Sequence, residues 1–281
     1  MALGAVDRAA GRLRDAQDHF RNATELSATG PRANRIRTAI NLAVAATERG
    51  DLGTARGAIE AIEPLKRSGG DEALFLLASG FLHYVEGDLS RARADFQRGL
   101  ELARRHRKGT VAKFEVDLGY VELRSGRVEE AARLADAAEN DARAFDPSTL
   151  PHALALRGEI SLARGEIDRA SRLLERAHAM HGELHHEDER RYAAALIGLV
   201  ELRAGNRELA LAHLEEARRS PASVTTKRAV AALGRELAEE AAGGGRFEEA
   251  RGLLRGSIRA FRKGMDPASA RAAQARLTEL S

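Results

Sequence analysis

Apolar residues recur three or four positions apart in short blocks along the whole chain. Leu74, Leu77, Phe81 and Tyr84 form one such block, and their spacing places the four side chains on one face of a helix. A glycine follows the block, and a second block of helical period begins just after it. This pattern predicts pairs of helices joined by tight turns, with essentially no β-strand.

The turn glycine recurs at nearly constant intervals of 37 to 40 residues. An alanine follows it five residues later in all seven cases, which gives the pairs Gly11/Ala16, Gly50/Ala55, Gly87/Ala92, Gly126/Ala131, Gly165/Ala170, Gly205/Ala210 and Gly245/Ala250. A period of about 20 to 50 residues is typical of solenoid and propeller arrays. We therefore expect one repeated unit, in which the glycine ends the first helix at positive φ and the alanine lets the two helices approach closely.

Residues around the turn make this prediction more specific. Asp51, Asp88 and Asn206 directly follow turn glycines and are expected to cap the second helix of their pair. A small residue also stands seven positions before most turn glycines, as Gly80 does, and we expect it to face the alanine. Ala142, by contrast, is expected to be exposed.

One unit, from residue 73 to 102, carries these marks at spacings that resemble the tetratricopeptide repeat: Gly80, Gly87, Ala92, Phe96 and Leu100. The resemblance covers the full chain, although the period lies near 40 residues rather than the family's usual length of about 34. Long repeats of this type resemble the solenoid region of large bacterial ATP-binding regulators of the maltose-activator and LuxR-like type. The resemblance implies an all-α fold, a right-handed α-solenoid of about seven antiparallel helix pairs with a C-terminal capping helix.

The repeat pattern predicts a single solenoid domain over residues 1–281. The predicted repeats span 1–33, 36–70, 73–108, 112–146, 151–187, 191–223 and 227–262, and the predicted cap helix spans 266–281. Ala273, Leu277 and Leu280 share one face of that cap helix. The first helix of the first unit lacks its opening turn, so the N-terminal repeat is expected to be uncapped and is a candidate surface for self-association.

Charge and composition do not favour nucleic-acid binding or insertion into a membrane. The 45 basic residues exceed the 42 acidic ones by only three, the two signs are interleaved, and 4% of the residues are aromatic. This pattern does not favour nucleic-acid binding, which needs basic residues concentrated on one face. The most apolar stretch, residues 73–85, is too short to span a membrane, and no signal peptide is evident, so a cytoplasmic location is predicted.

Catalytic and metal-binding signals are weak. The sequence has no cysteine and lacks the phosphate-loop, H-E-x-x-H and G-x-S-x-G motifs, so we expect neither an enzyme nor a cofactor. His178, His181, His185 and His186 lie within nine residues, and His181 with His185 has the i, i+4 spacing of a metal-binding pair. Because Gly182 separates them in a segment between two units, we interpret all four as solvated loop histidines and expect no metal site.

A partner is expected on the concave side, which the resemblance implies is lined by the first helices of the units. The candidate groove residues lie on one face of the first helices of units three to six: Leu77, Phe81, Tyr84, Lys113, Tyr120, Leu123, Arg124, Glu159, Leu162, Tyr192, Leu199 and Arg203. Leu123 and Leu162 among them fit an alternative role equally well, as packing between neighbouring first helices.

An apolar and aromatic groove with a few polar groups suits an amphipathic helix or an extended peptide. The sequence therefore predicts a non-catalytic scaffold for protein–protein interaction that binds a peptide or partner helix in its groove. The alternative hypothesis is a ligand- or peptide-sensing module of a bacterial transcriptional or signalling regulator.

Overall fold

The computed structural model describes residues 1–65, 67–219 and 223–280, and these residues form fifteen α-helices and no β-strand. Helices α1 to α14 form seven pairs joined by short turns, and α15 follows the last pair, so the predicted all-α solenoid is confirmed. The helices are α1 (Ala2–Ala9), α2 (Leu13–Ser27), α3 (Arg32–Arg49), α4 (Leu52–Ile62), α5 (Gly69–Glu86), α6 (Leu89–His106), α7 (Val111–Arg124), α8 (Val128–Phe145), α9 (Leu150–Ala163), α10 (Ile167–Glu183), α11 (Glu187–Arg203), α12 (Arg207–Ala217), α13 (Val224–Gly243), α14 (Phe247–Lys263) and α15 (Pro267–Glu279).

The turn inside every pair contains a glycine in the left-handed region. The φ angles of the seven predicted turn glycines lie between 72° and 92°. A Cβ atom is strained in this conformation, which explains why glycine recurs at this place in every unit.

The expected N-caps are confirmed at two of three turns. The carboxylates of Asp51 and Asp88 accept hydrogen bonds from the backbone N–H groups of Thr54 and Arg91, at 3.2 and 3.0 Å. Asn206 does not cap α12 with its side chain in the described structure. The side-chain amide of Asn206 instead donates to the carboxylate of Glu201 on α11, so the expected cap was wrong.

The paired helices meet through the predicted small residues, but with different partners. All seven spacing alanines are fully buried, at 0% exposure: Ala16, Ala55, Ala92, Ala131, Ala170, Ala210 and Ala250. The small residue of the first helix faces a large side chain rather than the alanine. A Cβ atom on Gly80 would lie 2.6 Å from Cε1 of Phe96, and one on Gly158 would lie 2.6 Å from Cγ of Leu174. Each of these glycines therefore makes room for the apolar residue sixteen positions later.

In the fourth pair, the glycine of the first helix makes room for a large side chain from the next unit. Its residue sixteen positions after Gly119 is the small Ala135, and a Cβ atom on Gly119 would lie 2.5 Å from Cδ2 of Leu156 instead. Ala142, expected to be exposed, is fully buried against α9, where Leu150 and Leu154 belong to the same apolar cluster.

Buried apolar side chains lie between successive helices along the whole array. The last such cluster ends with Ala270 and Ala273 of α15, against which Leu277 and Leu280 are partly buried. Helix α15 therefore covers the apolar side of the seventh pair, as predicted. No described helix is both long and apolar enough to cross a membrane.

The first helices of the pairs pack against one another, as α3 does against α5 and α11 against α13. We call the inward-facing surface of α1, α3, α5, α7, α9, α11 and α13 the inner wall. The array winds until α13 contacts α3, which lies five pairs earlier. The inner wall is thus closed where the second and third pairs meet the seventh.

Candidate functional site on the inner wall

The three tyrosines of the chain all lie on the inner wall, and we call them the tyrosine cluster: Tyr84 on α5, Tyr120 on α7 and Tyr192 on α11. The rings of Tyr120 and Tyr192 meet edge to face, with centroids 6.3 Å apart and planes at 83°. The Tyr192 hydroxyl donates a hydrogen bond of 2.6 Å to Oε2 of Glu159 on α9. Four neighbouring first helices therefore each place one aromatic or acidic side chain on this surface.

Arginines at the edge of the tyrosine cluster bind helix ends. The guanidinium of Arg124 lies 4.7 Å from the ring centroid of Tyr84, and its Nη1 donates to the backbone carbonyl of the same tyrosine at 3.3 Å. Arg203, the equivalent residue two units later, donates from Nη1 to the carbonyl of Leu162 at 3.0 Å. Both carbonyls belong to the last turn of a helix, and each also accepts a hydrogen bond from the N–H group of the turn glycine, at 3.2 and 3.1 Å. These arginines therefore stabilise the preceding first helix as well as lining the wall.

Burial raises the pKa of the titratable side chains of the tyrosine cluster and of Glu159. Burial, with the Glu159 carboxyl adding to it, raises the pKa of Tyr120 and of Tyr192 well above the ordinary value. Burial also raises the pKa of Tyr84, against the opposing charge of Arg124. For Glu159, burial raises the pKa, and the hydrogen bond from Tyr192 opposes this effect. The tyrosine hydroxyls thus remain protonated and act as hydrogen-bond donors at neutral pH.

A charged region of the inner wall adjoins the tyrosines. Arg8 on α1 pairs with Glu48 on α3 at 2.7 Å, and this carboxylate raises the pKa of Arg8, with Glu189 on α11 adding to the effect. Burial raises the pKa of Asp117 to about 7, with Lys113 opposing. It also raises the pKa of Glu189 to about 7. Acidic and basic groups from four different pairs therefore face one another across the wall.

The histidine-rich segment is not a solvated loop. Gly182 lies inside α10, which continues to Glu183, and His181 is only 1% exposed. His186 is half-buried and precedes α11, whereas His185 is exposed, with a φ of 56°. The interpretation of these histidines as solvated loop residues was therefore wrong for His178, His181 and His186. His178 lies inside α10 with its Nε2 3.0 Å from Oε1 of Glu216, because the helix extends farther than Gly182 suggested.

A third histidine from the preceding pair completes a cluster with these two. His152 lies in the first turn of α9, and its ring centroid is 4.7 Å from that of His181 and 6.0 Å from that of His186. Burial lowers the pKa of His152 to about 3 and that of His181 to about 2, so both imidazoles are neutral at physiological pH. We call His152, His181 and His186 the histidine cluster.

The structure divides the twelve predicted groove residues into four groups. Tyr84, Tyr120, Arg124, Glu159 and Tyr192 come together around the tyrosine cluster. Leu162 and Leu199 are 5% and 6% exposed and belong to the apolar core, which agrees with the alternative role of Leu162 and corrects the groove prediction for Leu199. The remaining apolar candidates are partly buried against neighbouring core side chains: Leu77, Phe81 and Leu123.

The two remaining candidates, Arg203 and Lys113, make polar contacts with neighbouring residues. Arg203 bonds a helix end, as described above. Lys113 is 47% exposed and lies 3.4 Å from the carboxylate of Asp146, at the histidine cluster rather than among the tyrosines.

Sequence reasoning missed several residues of the inner wall. Arg8 stands three residues before the turn glycine of its unit, the place that Tyr84 occupies in the third unit. Extending the inner-face register to the first unit would have found it. Arg228 on α13 donates a hydrogen bond to the backbone carbonyl of Val85 on α5. The sequence offered no such signal for it, because this bond depends on the contact between the seventh and third pairs.

Solved structures of other proteins share this architecture. No protein-family model matches the sequence, and no curated protein sequence matches it. The chain is similar in structure to a Rap protein complexed with competence and sporulation factor, with a TM-score of 0.64 and 12% sequence identity over 95% of this chain and 79% of that one. It is also similar to NprR in complex with its cognate peptide NprX, with a TM-score of 0.66 and 11% identity over 85% of this chain and 71% of that one.

A third similar structure is named for its repeats. It is a tetratricopeptide repeat protein from Parabacteroides merdae, with a TM-score of 0.56 and 12% identity over 99% of this chain and 96% of that one. Identities this low establish the fold and not the activity. The helix pairs, the left-handed turn glycines, the buried alanines and these structural matches agree, and the chain is therefore a solenoid of the tetratricopeptide-repeat type.

Proposed function

We propose that this protein is a non-catalytic scaffold that binds a short peptide segment on its inner wall, in contact with the tyrosine cluster. The observation that carries the proposal is the location of Tyr84, Tyr120 and Tyr192, since all the tyrosines of a chain poor in aromatic residues lie on this one surface. Tyrosine is enriched at protein interfaces because it offers a large, rigid apolar surface with a polar end.

The polar groups around the tyrosines suit a peptide backbone. Protonated tyrosine hydroxyls donate hydrogen bonds to carbonyl groups, and Glu159 accepts them from N–H groups or a basic side chain. Arg124, which is exposed, offers a partner for a carboxylate of the peptide. Because the wall closes where α13 meets α3, we favour an extended segment over a bulky partner helix.

Two of the structural matches support the proposal. The Rap protein was solved with competence and sporulation factor and NprR with its cognate peptide, so this fold accommodates peptide ligands in other proteins. The support concerns the architecture alone, at 11–12% identity.

A sensing module of a bacterial regulator is the second candidate, and one contact favours it. Arg228 of the seventh pair donates to the carbonyl of Val85, the residue directly after Tyr84. A ligand that moves Tyr84 would therefore act on the contact that closes the array. In this version of the proposal, peptide binding changes the pitch of the superhelix and so reaches a partner elsewhere.

The peptide proposal is tested by selecting linear peptides from a random displayed library on the purified chain. Affinity for the best peptide is then measured by calorimetry, with the melting temperature of each variant. We expect Tyr120→Ala and Tyr84→Ala each to weaken binding by about 2 kcal/mol or more, roughly 30-fold, as buried aromatic anchors do. Arg124→Ala should have a smaller, salt-dependent effect.

Phe247→Ala is the matched control, because Phe247 is a 49% exposed aromatic residue at the start of the second helix of the last pair. Parent-like binding by both tyrosine variants, together with loss of binding in the control, would move the site to the outer surface. Small-angle scattering with and without the peptide separates the two candidate functions. A change in the radius of gyration supports the sensor, and an unchanged radius supports the scaffold.

A further inference from the structure

The histidine cluster brings together three imidazoles from three different local structures. His152 lies in the first turn of α9, His181 in the last turn of α10, and His186 immediately before α11. Ring centroids lie between 4.7 and 6.0 Å apart, and one ring nitrogen from each residue lies within 4.8 Å of the other two. Residues 29 and 34 positions apart in the sequence thus converge on one point.

The nitrogens at this point lack protein partners. The Nδ1 atoms of all three histidines are buried, and none has a hydrogen-bond partner within the described ranges. A buried polar atom without a partner costs about 1–3 kcal/mol, and buried imidazoles normally bond to a backbone or side-chain group. Three such atoms in one cluster indicate a shared ligand that accepts nitrogen lone pairs.

We propose that His152, His181 and His186 form a binding site for one divalent transition-metal ion of the zinc class. Imidazole nitrogen is a preferred ligand of Zn²⁺, Cu²⁺ and Ni²⁺. Ca²⁺ and Mg²⁺ require oxygen ligands, which this group of three does not supply. Three histidines with one open position are a known coordination set for zinc.

The present arrangement is close to the geometry that zinc needs. Zinc–nitrogen distances of about 2.0–2.1 Å in a tetrahedral site bring ligand nitrogens to about 3.4 Å from one another. Nitrogens that lie within 4.8 Å of one another reach this spacing when the His152 and His186 imidazoles each move by about 1.4 Å or less. Rotation of the half-buried His152 and His186 side chains supplies this movement while His181 stays fixed in the core.

Cationic side chains of the inner wall lie near the histidine cluster. The positive charges of Arg8 and Lys113 act on His186, and that of Lys113 also acts on His152, although Asp146 partly neutralises this lysine. These exposed cations favour an anion as the fourth ligand, either a hydroxide or a carboxylate of a bound molecule. The site stands on its own geometry and does not depend on peptide binding at the tyrosine cluster.

Titration of the untagged, metal-free chain with zinc chloride by calorimetry tests the proposal. We expect one zinc ion per chain, a higher melting temperature with zinc, and visible absorption bands of tetrahedral cobalt when Co²⁺ replaces it. His152→Asn and His186→Asn should each weaken zinc binding at least tenfold. His185→Asn is the matched control, because His185 is an exposed neighbour and asparagine tolerates its positive φ.

Two results would overturn the proposal. The first is the absence of stoichiometric zinc binding by the parent chain, and the second is parent-like binding by both cluster variants. If a cluster variant fails to fold, imidazole nitrogen spectra of the parent chain decide the matter. Zinc must shift the resonances of His152, His181 and His186 and leave that of His19, a partly exposed histidine on α2, unchanged. Any other set of shifted histidines contradicts the assignment.

Discussion

Arg228 donates a hydrogen bond of 2.7 Å from Nη2 to the backbone carbonyl of Val85, 143 residues earlier in the sequence. The same guanidinium donates to the carbonyls of Gly264 and Met265, at 2.7 and 3.0 Å. Val85 lies in the last turn of α5, where a carbonyl has no partner within its own helix. One side chain therefore joins the third pair, the seventh pair and the turn before α15.

Removing this side chain should open the array. We expect Arg228→Ala to lower the free energy of unfolding by about 1–3 kcal/mol, because buried carbonyl groups lose their donor. It should also increase the radius of gyration measured by small-angle scattering. Arg262→Ala, which removes an exposed arginine on α14, is the control. An unchanged radius in Arg228→Ala would show that other contacts hold the array closed.

Gly50 lies at the same closure and differs from the other turn glycines. A Cβ atom on Gly50 would lie 2.5 Å from Cε of Met265 and 3.1 Å from Cγ2 of Val224. A Cβ atom on Gly126 would meet no described atom within 4 Å, although its φ is also positive. A side chain at Gly50 is therefore disfavoured by the backbone conformation and would also displace the end of the Met265 side chain.

Alanine substitutions at these two glycines separate the two effects. Gly126→Ala should cost about 1–2 kcal/mol, the strain of an L-residue in the left-handed region. Gly50→Ala carries the same strain and also displaces Met265 and Val224, so it should cost at least about 1 kcal/mol more. Urea unfolding of both variants measures the difference. Equal destabilisation of the two variants would mean that Met265 and Val224 move aside without a cost in stability.

The repeat architecture could be predicted from the sequence because each unit carries its own local signals. A glycine required at positive φ and an alanine required for close packing leave the same two marks in every unit, and neither depends on distant parts of the chain. The partner of Gly80 was harder to predict, since the spacing alone does not tell whether it faces Ala92 or Phe96. Side-chain volume decides this, because the Phe96 ring needs the space that glycine leaves.

The candidate sites were only partly predictable, because they depend on how far the array winds. The inner face of α5 and α7 follows from helical periodicity, so Tyr84 and Tyr120 were found. The approach of Arg228 to Val85 depends on the summed rotation from the third pair to the seventh, which no local pattern records. The histidine cluster was missed because His152 belongs to the preceding unit and because Gly182 was taken for a helix end.

The spacing alanines should not tolerate larger side chains. Ala131 is fully buried in α8, so Ala131→Leu should overpack its contact with α7 and cost about 1–3 kcal/mol. Ala144 lies on the same helix but is exposed, and Ala144→Leu should change stability by less than about 0.5 kcal/mol. Urea unfolding provides the comparison. Similar stability in both variants would contradict the packing of α8 against α7.

Helix α1 presents an apolar surface that supports the proposed self-association. Leu3 and Val6 are 65% and 61% exposed on this helix. We expect the average mass of the parent chain in sedimentation experiments to rise above 30.4 kDa with concentration. The double variant Leu3→Asp, Val6→Asp should remain monomeric, because charges placed at an apolar interface prevent its burial. Leu26→Asp, at an 86% exposed position on α2, is the control. A parent chain that is monomeric at every concentration would exclude this interface.

A buried carboxyl group outside the inner wall should make stability depend on pH. Glu115 on α7 is 1% exposed, and only one of its carboxyl oxygens, Oε1, has a hydrogen-bond partner among the described residues, the guanidinium of Arg104 at 3.1 Å. Burial raises the pKa of Glu115 to about 7, with the nearby Asp141 adding and Arg104 opposing. The folded protein thus holds this proton more tightly than the unfolded chain, in which the pKa is about 4.5.

The sign of the effect follows from this difference. The contribution of Glu115 to stability is fully present below about pH 4.5 and is lost as the pH rises through about 7, because ionisation then occurs inside the folded protein. Below about pH 6.5 the neutral His152 and His181 act in the opposite direction, but they are common to the parent and the variant. We therefore expect the stability of the parent to fall relative to that of Glu115→Gln by up to about 3 kcal/mol between about pH 5 and about pH 7.5. Glu208→Gln, at an exposed position on α12, should leave the fall unchanged. Urea unfolding across this pH range checks both variants, and a parent-like pH dependence in Glu115→Gln would mean that Arg104 keeps the carboxylate ionised in the folded state.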